Sequence, residues 1–238
     1  MFYFYGYDWT YLVFVLPFVI IAMVASANVN STFKKYSKQL SRQGITGARA
    51  AERVLSSHGI NNVRIERVAG NLTDHFDPKT NVIRLSDSVY DSTSTAAIGV
   101  ACHEAGHAVQ YAKSYNPIKI RTAIFPVVNI GSHLAIPLIL LGVVLTAMGY
   151  YSTAIVNIGI ACFGLTFLFQ LITLPVEFNA SARAISVLRS THMLDDDELA
   201  ASKKVLTAAA LTYVAALLTS LLTLLRLLVL AGGRSNRR

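Results

Sequence analysis

Residues 101–112 read ACHEAGHAVQYA, and His103, Glu104 and His107 within them are the residues best placed to do chemistry. In a helix, positions four apart return to nearly the same face about 6 Å along the axis. His103 and His107 would then point the same way, and their imidazoles could converge on one zinc ion at about 2.0–2.1 Å each. Glu104, beside the first histidine, would face a water held there. It could take that water's proton and hand it to a leaving amine. Zinc brings the pKa of such a water to about 7. Gly106 lies between the histidines, where glycine costs about 1 kcal/mol against alanine unless a neighbouring segment must approach closely.

An open zinc site needs a third protein ligand. The extended metzincin form would place Gly and His where Gln110 and Lys113 stand, so it is excluded. The candidate is Glu177 in LPVEFNASARA, the only acid between Glu104 and Asp195. It follows Pro175, which suits a helix start. Asp195, Asp196 and Asp197 are the rival ligands, although they resemble a solvated acidic cluster opening the next helix. For a developing oxyanion, Arg183 is the first candidate donor and His75 in TDHFDP the second.

These residues sit in an unusually apolar chain. Of its 238 residues, 53% are hydrophobic, and the mean hydropathy is +0.48. Trp9–Val29, Ile124–Tyr150 and Thr153–Pro175 carry no charge, and Val205–Ala231 is interrupted only by Arg226. A bilayer core needs about 20 apolar residues per helix, so four transmembrane helices are expected. Two crossings separate His107 from Glu177, which puts both on one side of the membrane. Positive charge follows the first run (Lys34, Lys35, Lys38, Arg42) rather than preceding it, the mark of an uncleaved anchor with its N-terminus outside. The aromatics Phe2 to Trp9 would lie at the outer interface. Lys/Arg excess assigns the two polar stretches, about 30–123 and 177–204, to the cytoplasm, and the uncharged Tyr150–Thr153 loop to the outside. The C-terminal GGRSNRR goes against this pattern if the fourth run spans fully, so that run is either a span or re-entrant. The formal charge of +8 suits anionic lipid; no basic patch interleaved with aromatics points to nucleic acid. Cys102 and Cys162 define no disulfide framework. His133, an ionisable group within an apolar run, is expected either to be functional or to make a helix–helix hydrogen bond, and Arg226 to snorkel or to pair within the bundle.

The long polar stretch carries the other elements. Thr46–His58 has helical spacing, with Ala50, Ala51, Val54 and Leu55 on one face and Gly59 at its end. Val63–Val68 alternates as a strand, Asp77-Pro78-Lys79-Thr80 is a turn, and Val82–Leu85 is a second short strand. That strand could pair with an extended substrate if it is a sheet edge. From about Ser94 a helix runs through HEAGH to about Lys113. The fold class expected is mainly α: a polytopic membrane protein with about four transmembrane helices and a small α+β zincin-like insert, its short strands preceding the HExxH helix. The expected organisation is an anchor over 1–30, a cytoplasmic metallopeptidase insert over 31–123 and a transmembrane hairpin over 124–175. A cytoplasmic helical segment over 176–204 and a C-terminal transmembrane or re-entrant helix with a basic tail over 205–238 follow.

An anchor, then TDHFDPKTNVIRLSDSVYDSTSTAAIGVACHEAGHAVQ, then a hairpin and LPVEFNASARA, resembles the YugP-type neutral zinc metallopeptidases of bacterial membranes. The resemblance covers nearly the whole chain and is most specific from Asp74 to Gln110. More distantly, the arrangement is similar to HtpX-type membrane proteases and CAAX prenyl proteases, which place HExxH before a hairpin and a glutamate ligand after it. The resemblance implies one zinc ion on His103, His107 and Glu177, Glu104 as general base, and a multi-pass protein of the bacterial cell membrane. One position departs. Many glutamate zincins carry Asp four residues after the glutamate ligand, to hold a zinc histidine; here it is Ser181, with Asn179 and Asp87 as candidate substitutes.

The leading reading is a membrane-embedded zinc endopeptidase of the HExxH…E type, active at the cytoplasmic face on peptides or membrane-associated proteins, in processing or quality control. Two alternatives stand beside it. One is a non-catalytic scaffold stabilised by zinc. The other is an intramembrane protease of the site-2 type, which the short apolar run Ala96–Cys102 before HEAGH disfavours. Glu104 separates catalysis from scaffolding, because a structural zinc is closed by four protein ligands and needs no acid beside the first histidine.

Overall fold

The computed structural model describes residues 3–4, 7–150 and 153–235, with side-chain surroundings for 9–150 and 153–232. Expectations for Phe2, for Tyr151 and Ser152 of the Tyr150–Thr153 loop and for the end of the basic tail fall outside the described residues. The chain runs β1 (Tyr3–Phe4), β2 (Tyr7–Asp8), α1 (Trp9–Phe14), α2 (Leu16–Tyr36), α3 (Gly47–Ser57), β3 (Arg64–Val68), β4 (His75–Asp77), β5 (Val82–Ser86) and α4 (Thr95–Ala112). Three long helices complete it: α5 (Asn116–Ala147), α6 (Thr153–Ser190) and α7 (Asp196–Ser235). The fold is mainly helical, with a small sheet.

Among the described residues, four helical stretches are long and apolar enough to cross a membrane: Trp9–Tyr36, Asn116–Ala147, Thr153–Ser190 and Asp196–Gly232. The fourth run is one unbroken helix. Pro175 corrects an expectation, since it lies inside α6 rather than at a helix start. Pro126 and Pro137 likewise lie inside α5. Proline is tolerated in such helices because neighbouring groups re-satisfy the freed backbone, and a break in lipid would expose more polar groups than it relieves.

Contacts divide the chain into two units. The first comprises Met1–Val24, Ile120–Leu174 and Tyr213–Arg238. Its helices present large apolar side chains outward, among them Val13, Val127, Leu140, Ile158 and Leu228, as a lipid-facing surface requires. Inside it, Thr219 donates to Phe18 O at 3.2 Å. Arg226 donates from Nε to Thr10 Oγ1 at 3.1 Å and lies 5.5 Å from the centre of the Tyr11 ring. Its guanidinium thus has partners within the bundle. His133 is exposed.

The second unit comprises Ala25–Lys119 and Pro175–Thr212. Its sheet has the order β3-β5-β4. β5 runs parallel to β3, with Ile65 opposite Ile83, and antiparallel to β4, with Phe76 opposite Ile83. Here the structure corrects the sequence reading twice. A third strand exists, and β5 is the centre of the sheet rather than an edge, which explains why Val82, Ile83 and Leu85 are all fully buried. α3 lays Ala50, Ala51, Val54 and Leu55 into the core, and Thr46 caps it by accepting from Arg49 N at 3.3 Å. α4 is buried along almost its whole length, so its small side chains (Ala96, Ala97, Ala101, Ala105, Ala108) let neighbours close on every side.

Two devices fix the ends of that core. Residues 39–41 pair with 93–95 through Ser41 N–Thr93 O at 2.8 Å and Thr95 N–Gln39 O at 2.9 Å, immediately before α4. At the start of α7, Glu198 accepts from the backbone N–H of Arg42 at 2.8 Å and of Asp195 at 3.0 Å, a capping box made across the chain. Glu198 is almost wholly buried, whereas Asp195, Asp196 and Asp197 are exposed, as expected of a solvated cluster opening the helix. Asp195 and Asp197 are exposed and both bind the Arg42 guanidinium at 2.7 Å.

Candidate metal centre

α4 starts at Ser94, whose hydroxyl accepts from Ala97 N at 3.2 Å, and it carries His103, Glu104 and His107. α6 carries Glu177 and Ser181. The two helices come very close at Gly106: a Cβ there would lie 2.6 Å from the carbonyl oxygen of Ala180. The glycine between the histidines therefore answers a steric demand, and it lets the glutamate reach them.

His103 Nε2 lies 3.2 Å from Glu177 Oε2, His107 Nε2 lies 3.5 Å from the same oxygen, and the two Nε2 atoms are 3.1 Å apart. Ligands about 2.05 Å from a tetrahedral zinc ion stand roughly 3.3 Å from one another. The three edges of this triangle bracket that value, so the donor set and its spacing both fit zinc. The imidazoles meet nearly perpendicular, at 86°, so both nitrogens can aim at one point. Glu177 is almost wholly buried, and a carboxylate so placed needs a cation or donors about it.

The hydrogen bonds beyond the triangle settle one tautomer. The Gln110 side-chain amide contacts Val176 O at 2.7 Å, Asn179 Oδ1 at 3.0 Å and His107 Nδ1 at 3.0 Å. A backbone carbonyl only accepts, so the Gln110 NH₂ must face Val176 and its oxygen must face His107. His107 therefore donates from Nδ1, and its Nε2 is the atom turned to the centre. Asn179 is oriented in the same way, because Arg183 Nε can only donate to its oxygen, at 2.8 Å. His103 Nδ1 meets Ser181 Oγ at 3.0 Å. Burial pushes the His107 imidazolium down, but the carboxylates of Glu177 and Glu104 prevail and raise its pKa. A metal ion entering the site must displace that proton.

Glu104 is buried to its last tenth, and its carboxylate bonds to no other described residue. Asp74, just before β4, holds Ser86 N at 2.8 Å and Ser86 Oγ at 2.9 Å. Burial and then the charge of Glu104 raise its pKa against those bonds, so Asp74 and Glu104 are electrostatic neighbours. Cys102, on the same helix, is a free and wholly buried thiol whose pKa burial pushes up.

The structure thus brings together His103, His107, Glu177 and Ser181, reaches Asn179 through Gln110, and reaches Arg183 through Asn179. It does not bring in the rival ligands Asp195, Asp196 and Asp197, nor His75 or Asp87. His75 is exposed and bonds to Thr73 O at 2.9 Å. Asp87 accepts from Gly70 N at 3.2 Å and pairs with Arg67, so it orients neither histidine. Gln110 and Asp74 escaped the sequence reading. Gln110 was detectable: three residues after His107 and seven after His103, it shares their helix face.

The chain matches the family described as "Putative neutral zinc metallopeptidase" over residues 11–232. It is 48% identical over 174 residues to a protein of Bacillus subtilis (strain 168) named "Putative membrane protease YugP", covering 73% of this chain and 75% of that one. No solved structure matches the chain.

Proposed function

The chain belongs to the neutral zinc metallopeptidase family, and from that premise we propose that it hydrolyses peptide bonds at one zinc ion held by His103, His107 and Glu177. This makes it a glutamate zincin of the HExxH…E type. The observation that carries the reading is the triangle of three ligand atoms beside an unbonded glutamate. Held by His103, His107 and Glu177, zinc would supply a water that is nucleophilic near neutral pH and would polarise a bound carbonyl. The protein's own residues do the rest. Glu104 takes the water's proton on its carboxylate and returns it to the amide nitrogen as the bond breaks. Gln110 and Ser181 hold the two imidazoles in register. Arg183, tied to Asn179 through Nε, is the candidate that meets the charge developing on the carbonyl oxygen.

The substrate is an extended peptide of a membrane or membrane-associated protein. β5 is paired on both sides, so the outer edge of β4 takes over the docking role first given to it. The insert over 31–123 is the zincin-like part, and the chain is organised into the five segments expected from its sequence, with the centre on the cytoplasmic side of a bacterial membrane. The site-2 alternative weakens because α4 is not among the stretches able to cross a membrane. The scaffold alternative weakens because a closed structural site would have no use for Glu104.

Zinc content of the detergent-purified chain tests the proposal. Wild type should carry one ion per chain. His107→Ala and Glu177→Ala should lose it, and Glu104→Gln should keep it while losing casein cleavage. Zinc retained by Glu177→Ala would refute the ligand set, and cleavage retained by Glu104→Gln would refute the mechanism.

A further inference from the structure

α2 and α7 flank a groove of about 480 Å³ on the second unit. Three cations line it: Lys35 from α2 and Lys203 and Lys204 from α7. Lys35 Nζ lies 5.4 Å and Lys204 Nζ 5.9 Å from the centre of one ring, that of Tyr36. No carboxylate lines the groove, and no carboxylate among the described residues pairs with any of the three lysines. The nearest acidic groups of α7 are committed elsewhere, Asp195 and Asp197 to the Arg42 guanidinium and Glu198 to two backbone amides. Converging cations repel one another, and one ring face offsets little of that at about 5–6 Å. Such a cluster calls for an anion.

Away from the lysines the lining changes in order. Thr32 and Asn28 follow Lys35 at three- and four-residue steps along one face of α2, and Thr207 and Leu211 follow Lys203 on α7. Each step is about 5 Å. The Thr32 hydroxyl donates to Asn28 Oδ1 at 3.4 Å, which leaves the exposed Asn28 NH₂ without an acceptor among the described residues. The groove thus offers cations at one end and, away from them, polar donors on α2 facing an apolar side on α7. A phospholipid carries the matching groups: a phosphate at one end, then ester carbonyls and acyl chain. Both flanking helices belong to stretches long and apolar enough to cross a bilayer, which suits a lipid as the occupant.

We propose that this groove is a binding site for an anionic glycerophospholipid, its phosphate held between Lys35, Lys203 and Lys204 and its acyl chain lying along Thr207 and Leu211. The site is separate from the metal centre and does not depend on the peptidase reading.

Native mass spectrometry of the full chain in detergent, titrated with phosphatidylglycerol or with phosphatidylcholine, tests it. Wild type should bind one phosphatidylglycerol with marked preference. Lys35→Gln/Lys204→Gln should bind it about thirtyfold more weakly, at about fivefold per lysine, and the doubly arginine-substituted form should retain the preference. Lys34→Gln/Lys38→Gln removes equal charge from the same helix end without touching the groove and should change the preference little. If the double glutamine variant loses its helical circular dichroism, the single variants carry the test, each with a loss of about fivefold. The proposal is overturned by equal binding of the two lipids, by a Lys34/Lys38 effect as large as that of Lys35/Lys204, or by glycerol 3-phosphate competing as well as the intact lipid. The second of these would mean a diffuse surface potential, and the third a soluble phosphate site.

Discussion

Gln110→Leu isolates what orientation contributes to metal binding. Leucine fills nearly the same volume but offers His107 Nδ1–H no acceptor. The three hydrogen bonds lost, at 3.0, 2.7 and 3.0 Å, are not equivalent. Asn179 keeps its bond from Arg183, and Val176 O is a helix carbonyl, so the group left orphaned is the imidazole N–H. An unsatisfied buried donor costs about 1–3 kcal/mol. Loss of a partner that holds a ligand histidine costs about 10–100-fold in metal affinity. These agree, since each factor of ten is about 1.4 kcal/mol. Competition with a chromogenic zinc chelator should therefore show affinity falling 10–100-fold with the stoichiometry unchanged. Gln110→Glu separates the components. It keeps an acceptor for His107 but puts carboxylate oxygens against Val176 O and Asn179 Oδ1, so it should bind zinc more tightly than Gln110→Leu and unfold at a lower temperature than wild type. Zinc affinity of Gln110→Leu within twofold of wild type would show that Gln110 packs the core and does not orient the ligand.

Gly106→Ala should lower stability by about 1–3 kcal/mol and weaken zinc, because the new Cβ meets backbone at Ala180. Gly99→Ala meets Ser202 Cβ at a milder 3.3 Å and regains helix propensity of about 1 kcal/mol, so thermal unfolding should rank it well above Gly106→Ala. Glu198→Ala should cost about 1–3 kcal/mol by orphaning the amides of Arg42 and Asp195, leaving zinc stoichiometry unchanged in the folded protein. Asp77, bonded by the Thr80 hydroxyl at 2.7 Å and the Lys79 amide at 2.9 Å, has its pKa lowered to about 2. A carboxylate with a folded value below its unfolded one stabilises the β4–β5 turn above about pH 4, and that contribution disappears as the pH falls towards 2. Pepsin cleavage at Phe76, normalised to an unfolded peptide of the same sequence, should accelerate across that window and should lose this pH dependence in Asp77→Asn.

The parts legible in the sequence were those set by local chemistry. Ser94 and Lys113 bound α4 because capping is written within one turn. Thr46 and the Ala50–Leu55 face announce α3, and four long apolar runs announce four long helices. What stayed hidden depends on partners far away along the chain. β4 is three residues long and shows no periodicity; it exists because β5 offers it an edge. Gln110 looks like an ordinary polar residue until Val176 and Asn179 arrive to satisfy it. Pro175 reads as a helix start by the rules of soluble proteins, and those rules fail where a break would leave backbone groups in lipid. Glu198 hid in a run of acids because only its neighbours face water.

The distance along the chain between the parts of the centre sets an order of events during synthesis. Glu177 lies 74 residues after His103, and Glu198 lies 156 residues after the Arg42 amide that it caps. At about 5–20 residues per second, the HEAGH helix precedes its glutamate by roughly 4–15 s. During that interval the two histidines have neither the Glu177 carboxylate beside them nor the carbonyl that orients Gln110. A nascent chain therefore carries the motif long before it carries a peptidase. Polypeptides emerging beside it from neighbouring ribosomes meet an incomplete centre until α6 has been made.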